Sequence, residues 1–171
     1  QYHKEGFISP VRVMSEEDAL ALRKEIEEFE ISQGKPIYGT QKTKACLRFS
    51  WAYDLVVNKN ILDVVEDLIG PDILCYQHGI WFKEPESGSY VSWHQDATYY
   101  GMNPWELLSA WVALTPVNEV SGCIQVIPRS HKEGCYPVEY TERSDNNLLA
   151  SGQNTLYQFD EGEAVSMYLQ P

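Results

Sequence analysis

The hydrophobic residues of this chain change their period near residue 71. Before it, Leu22, Ile26 and Phe29 recur three and four residues apart, which predicts a helix with one apolar stripe running to about Gln33. Ser15 is placed to cap that helix, with Asp18 in the capping-box position and Glu16 and Glu17 in the first turn. Gly34-Lys35-Pro36 stops it. A second helix is expected over 60–69, where Leu62, Val65 and Leu68 share a face and Gly70-Pro71 ends the run. A short strand is expected at 7–13, a polar loop at 35–46, and a strand or turn at 47–53. After residue 71 the pattern turns to short alternating or aromatic runs, read as strands at 72–83, 90–95, 107–116, 123–127 and 164–169. Turns fall at 85–88 and 118–122, and the polar, irregular stretch 132–155 suits a lid-like insertion. Helices followed by many short strands make a mainly β fold with flanking helices, of the jelly-roll type.

Composition narrows the function. The chain has 171 residues, 43% of them hydrophobic, which suits a single domain with a real core. The net charge of -12 disfavours binding governed by nucleic-acid phosphates or anionic membranes. Cys46, Cys75, Cys123 and Cys135 form no C-x-x-C pair, which argues against a zinc cluster and is read as reduced thiols in a cytoplasmic protein. No apolar run reaches transmembrane length.

The chemistry concentrates at Trp93-His94-Gln95-Asp96. In an extended strand, residues two apart share a face, so His94 and Asp96 aim an imidazole and a carboxylate at one point. These are two of the three ligands of a 2-His-1-carboxylate Fe(II) site. The same spacing also serves a strand-end histidine hydrogen-bonded to a nearby aspartate.

Downstream lie Ser109-Ala110-Trp111-Val112-Ala113-Leu114 and Gly122-Cys123-Ile124-Gln125-Val126-Ile127-Pro128-Arg129-Ser130-His131-Lys132. In order and spacing, these blocks and Trp93-His94-Gln95-Asp96 resemble the phytanoyl-CoA dioxygenase family of Fe(II)/2-oxoglutarate oxygenases. The resemblance runs from about Gly6 to Pro171. It implies a double-stranded β-helix, the cupin-like jelly roll, and an enzyme that uses dioxygen to hydroxylate an unactivated C–H bond of a small organic substrate while 2-oxoglutarate is decarboxylated to succinate. His94 and Asp96 would be the catalytic metal ligands. Related halogenases carry a small residue where Asp96 stands, so the carboxylate favours hydroxylation.

Gln77, Gln95 and Trp111 are the candidates for contacting 2-oxoglutarate. The resemblance places a co-substrate-contacting tryptophan at Trp111. Gln77 sits on an alternating pattern one strand earlier, and alternation turns Gln95 away from the metal face. Trp81, Tyr99, Tyr100 and Trp105 are candidates for a substrate pocket, with ordinary packing the alternative. Arg129 is read as a surface ion-pair residue before a substrate partner.

The remaining histidines do not offer a clear third ligand. His3 lies near the start of the chain, His78 suits a core or pocket position, and His131 belongs to the Pro-Arg-Ser-His run, which the family uses structurally. The resemblance puts the second histidine roughly a dozen residues beyond Pro171, with the basic partner of 2-oxoglutarate further on. Residues 1–171 then correspond to the N-terminal portion of a longer oxygenase domain that lacks its last strands. Two other readings remain: a catalytically inactive jelly-roll protein that binds a small molecule, and a cupin-type metal-dependent isomerase.

Overall fold

In the computed structural model, residues 1–140, 146–149 and 153–171 are described. The elements in chain order are α1 (Tyr2–Glu5), α2 (Glu16–Gln33), α3 (Thr40–Thr43), a 3-10 turn (Ala45–Leu47), α4 (Ser50–Val56), α5 (Lys59–Ile69), α6 (Ala97–Tyr100), β1 (Gln125–Val126), β2 (Val138–Tyr140), β3 (Gln153–Thr155) and β4 (Val165–Ser166), with 3-10 turns at Ser130–Glu133 and Glu161–Glu163. The chain forms two compact units. The first comprises 1–10, 83–109 and 117–168, and the second 11–82, 110–116 and 169–171.

The second unit holds the long helices. α2 begins where the capping pattern predicts: Ser15 Oγ accepts the Asp18 backbone N–H at 3.1 Å, and Gly34 closes the helix in the left-handed conformation, with φ 69°. Ala19 and Ile26 are its buried positions. Asn58 caps α5, accepting from Asn60 and Ile61 backbone N–H groups, and Ile61 and Val65 are buried on it. The core gathers Ile26, Ile37, Ala45, Ala52 and Ile80, with Phe29, Phe49, Trp51, Phe82 and Leu114 packed against it. Phe49 links the aromatic layer, edge-on to Phe29 at 4.7 Å between ring centroids and stacked on Trp51 at 5.3 Å. Replacing Ser15 with alanine removes the α2 cap and is expected to lower stability by about 1 kcal/mol, read from chemical denaturation.

The expected strand or turn at 47–53 is largely helical. Trp51, Ala52, Leu55 and Val56 are spaced to pack one side of a short helix, and Ala52 is completely buried. The aromatic content of this stretch (Phe49, Trp51, Tyr53) suits a strand, and tertiary packing overrides it.

The first unit carries the ladders. β1 pairs antiparallel with β4, Gln125 opposite Ser166 and Val126 opposite Val165, inside the expected strands 123–127 and 164–169. The turn at 118–122 forms as expected: Cys123 N–H donates to the Asn118 carbonyl at 3.0 Å. β2 and β3 pair across Val138–Thr155, Glu139–Asn154 and Tyr140–Gln153, in the stretch read from sequence as a lid. Residues 141–145 and 150–152 of that stretch lie outside the described residues.

The family fold expected from sequence shows few strands and no closed barrel among the described residues. They contain two two-stranded sheets, whereas a closed barrel needs every strand paired on both sides. Among the described residues, the expected strands at 7–13, 72–83 and 107–116 carry no ladder, and 90–95 makes one bridge, Tyr90 to Asn147. The period-2 pattern marks residues suited to a strand, but a strand also needs a neighbour. At Ile80 the backbone N–H instead donates to the Lys42 carbonyl of α3. Among the described residues no helix is long and apolar enough to cross a membrane.

Candidate metal centre

Residues 90–96 of the first unit approach the site as extended chain. Tyr90 exchanges backbone hydrogen bonds with Asn146 and Leu148, both at 2.9 Å, and the Trp93 carbonyl accepts Thr155 N–H at 2.8 Å. Between them the buried Ser92 accepts a hydrogen bond from the buried Asn147 amide at 3.0 Å. The strand character ends at Asp96, whose backbone is already helical (φ -57°, ψ -36°) because α6 begins there. His94 and Asp96 therefore meet across the start of a helical turn, not by strand alternation alone.

His94 Nε2 lies 3.3 Å from Asp96 Oδ1. The other ring nitrogen, Nδ1, donates to the Ser92 carbonyl at 2.8 Å, which fixes the ring and turns Nε2 towards the carboxylate. Ser109 Oγ donates to the other Asp96 oxygen, Oδ2. Burial by itself pushes the His94 imidazolium down, but the bonds to Asp96 and Ser92 outweigh it and hold its pKa above the ordinary value. The His94 bond holds the Asp96 carboxyl below its ordinary value against the opposing effect of burial, and Ser109 adds to that lowering. Tyr99 on α6 stands edge-on to the His94 ring, centroids 5.8 Å apart. Burial, reinforced by the Asp96 charge, pushes its pKa up to about 12, so it is a neutral phenol at physiological pH.

The pair fits a metal ion in chemistry and spacing. Two donors bonded at about 2.1 Å and at right angles stand about 3.0 Å apart, close to the observed separation. Both are half-buried, one is neutral nitrogen when metal-bound and the other anionic oxygen, a combination suited to Fe(II). Among the described residues no group of three His, Cys, Asp or Glu side chains is placed to hold a metal.

A cavity of about 180 Å³ adjoins His94. Its aromatic wall is a run of contacting rings: Trp93 edge-on to Phe159 at 5.0 Å, Phe159 on Tyr157 at 5.8 Å, and Tyr157 on Tyr136 at 4.1 Å. Gln95 closes the run. Its amide donates to the Gly134 carbonyl at 3.0 Å and accepts Tyr136 N–H at 2.7 Å. The two neighbours of His94 in sequence are thus tied to the same wall from opposite ends.

Gln95 therefore has both ends of its amide engaged with backbone. Gln77 and Trp111 belong to the second unit. There the Gln77 carbonyl accepts from the Cys75 thiol at 3.7 Å, and Trp111 is 42% exposed. Trp81, in the same unit, has the Lys42 ammonium 5.6 Å from its ring centroid. His78, also there, has Nδ1 buried without a hydrogen-bond partner among the described residues, and burial lowers its pKa. Arg129 pairs with Glu5 at 3.1 Å, the ion pair expected from sequence. Ser109 and the rings of Tyr136, Tyr157 and Phe159 had no sequence signal tying them to His94, since each is reached only through folding.

A family profile for phytanoyl-CoA dioxygenase matches residues 2–167. The chain belongs to the phytanoyl-CoA dioxygenase family. Among the relatives of this family member, human peroxisomal phytanoyl-CoA dioxygenase is 34% identical over 84 residues, covering 47% of this chain and 25% of the human protein. The rat enzyme is 27% identical over 162 residues, covering 81% of this chain and 48% of its own length. A probable alpha-ketoglutarate-dependent hypophosphite dioxygenase of Stutzerimonas stutzeri is 32% identical over 90 residues, covering 53% of this chain and 31% of that protein. Thus the chain spans about half or less of the curated relatives it matches. Among solved structures, the apo form of the non-heme monooxygenase ThoJ superposes with a TM-score of 0.79 at 27% identity, over 99% of this chain and 63% of ThoJ. Its nickel complex gives 0.70 at 26% identity, over 99% of this chain and 62% of its own.

Proposed function

We propose that this family member is an Fe(II)- and 2-oxoglutarate-dependent dioxygenase that hydroxylates an unactivated C–H bond of a small organic substrate. The observation that carries the reading is the His94–Asp96 pair, 3.3 Å apart, with the far atoms of both side chains held by Ser92 and Ser109. In this reading residues 1–171 serve one oxygenase domain of double-stranded β-helix type, and a third protein donor completes the ligand set.

His94 would bind Fe(II) through Nε2, with Nδ1–H kept on the Ser92 carbonyl so that the ring neither rotates nor changes tautomer. Asp96 would bind through Oδ1, while Ser109 holds Oδ2 and keeps the carboxylate from swinging. The Asp96 carboxyl titrates low, so it is ionised and ready to bind a cation at neutral pH. Iron with 2-oxoglutarate and dioxygen supplies the oxidising power for C–H hydroxylation. The protein's part is to orient the substrate and exclude water, and the aromatic wall tied to Trp93 and Gln95 suits that task. A carboxylate at residue 96 occupies the position that halide would need, which favours hydroxylation over halogenation. The four free cysteines suit a reducing, cytoplasmic setting.

Trp111, Gln77 and Gln95 are assigned to 2-oxoglutarate. Trp111→Ala is expected to raise the apparent KM for 2-oxoglutarate with metal content unchanged. An unchanged KM in a folded variant would leave Trp111 as a packing residue only.

The alternative is a catalytically inactive jelly-roll protein that binds a small molecule without iron chemistry, in the cavity beside His94. Succinate formation separates the two. The protein supplied with Fe(II), 2-oxoglutarate and oxygen should release succinate as 2-oxoglutarate is consumed, and no release would leave the binding protein as the better account.

A further inference from the structure

The sequence singled out Pro128-Arg129-Ser130-His131, and the metal site leaves it without a task. In the structure this turn is the seat of segment 3–7. Arg129 takes a left-handed backbone, φ 69°, a conformation a non-glycine residue adopts at a cost. From there its N–H donates to the Glu5 carbonyl at 2.8 Å, and its guanidinium pairs with the Glu5 carboxylate at 3.1 Å. His131 Nε2–H donates to the His3 carbonyl at 3.4 Å. Gly6, at φ 89°, packs against the His131 ring: a Cβ there would stand 2.4 Å from Nδ1. Only glycine fits both the backbone angle and the space.

The seated segment is not remote from the chemistry. Glu5, Gly6 and Phe7 line the same cavity as His94, and Ser130 and His131 line it beside them. The aromatic wall of that cavity is tied to Trp93 and Gln95, whereas this wall is held through a one-turn helix and a single strained turn that carries the Arg129–Glu5 pair and the His131 contact. We propose that residues 5–7 form a seated wall of the cavity beside His94, and that this wall sets the size of the substrate the cavity admits. The inference builds on the proposed oxygenase reading but is tested without iron. A cavity of about 180 Å³ is in the range that accepts a single aromatic ring, since a cavity of about 150 Å³ holds benzene.

The test uses the full chain with Gly6→Ala. Hydroxyl-radical footprinting should show oxidation of Phe7, Trp93 and Tyr157 rising several-fold, with Phe49 and Trp51 of the second unit unchanged. Saturation-transfer NMR should then show phenol binding to the original protein and 1-naphthol binding only to the variant. If Phe7 becomes reactive while Trp93, Tyr157 and the size limit stay as they were, the segment is not a wall and the proposal fails; it fails also if nothing changes. Should Gly6→Ala unfold the chain, seen as Phe49 and Trp51 rising too, His131→Ala removes the seat without backbone strain and is read by the same criteria. Loss of iron binding in the original protein would overturn the oxygenase reading and leave this result standing.

Discussion

Asp96→Ala is expected to abolish the proposed 2-oxoglutarate-dependent turnover and to weaken Fe(II) binding in a protein that still folds. Two physical effects coincide at this residue. The substitution removes the anionic donor of the pair, and it leaves His94 Nε2 facing empty space where Asp96 Oδ1 stood 3.3 Å away. Ser109 also loses its acceptor. Removing a residue that merely orients a metal ligand typically costs about 10–100-fold in affinity or activity, and removing the ligand itself should exceed that. Metal content by elemental analysis and succinate release check it. The stability change should be small by comparison, because Asp96 is 36% exposed. A folded Asp96→Ala protein with near-normal turnover would remove Asp96 from the metal site.

The largest stability effect is expected in the second unit. Ile26 is 3% exposed and lies in the cluster with Ile37, Ala45, Ala52 and Ile80. Ile26→Ala deletes its outer carbons from a site whose neighbours include two fully buried alanines, which are too small to close the gap. The expected cost is about 2–5 kcal/mol, read as a shift in the denaturation midpoint. A loss below about 0.5 kcal/mol, the level of an ordinary surface change, would mean that this core is loosely packed.

What the sequence made legible was local. Ser15, Asp18 and Gly34 lie within one turn of the ends of α2, and the Leu22–Ile26–Phe29 stripe falls inside it, so cap, stop and period could be read together. His94 and Asp96 were legible for the same reason, being two residues apart, although the meeting depends on the helical turn at Asp96 as well as on strand alternation. Ladders are different. Whether 72–83 pairs depends on a partner far along the chain, and period-2 patterning records only that the segment could pair. β2 and β3 went unread because their polar, irregular setting hides three cross-strand pairs. The Gln95 clamp spans about forty residues to Gly134 and Tyr136, and nothing in Trp-His-Gln-Asp indicates that the glutamine is used on the backbone. Pro-Arg-Ser-His was visible as a motif, but its role at Gly6 is a contact across more than a hundred residues.

The central claim is that His94 and Asp96 form part of an iron site that binds 2-oxoglutarate. Anaerobic titration of the protein with Fe(II) and then 2-oxoglutarate tests it most directly. The account predicts a weak visible charge-transfer band that saturates at one iron per chain and is absent from Asp96→Ala. No band in the intact protein, or an equal band in the Asp96→Ala variant, would contradict it.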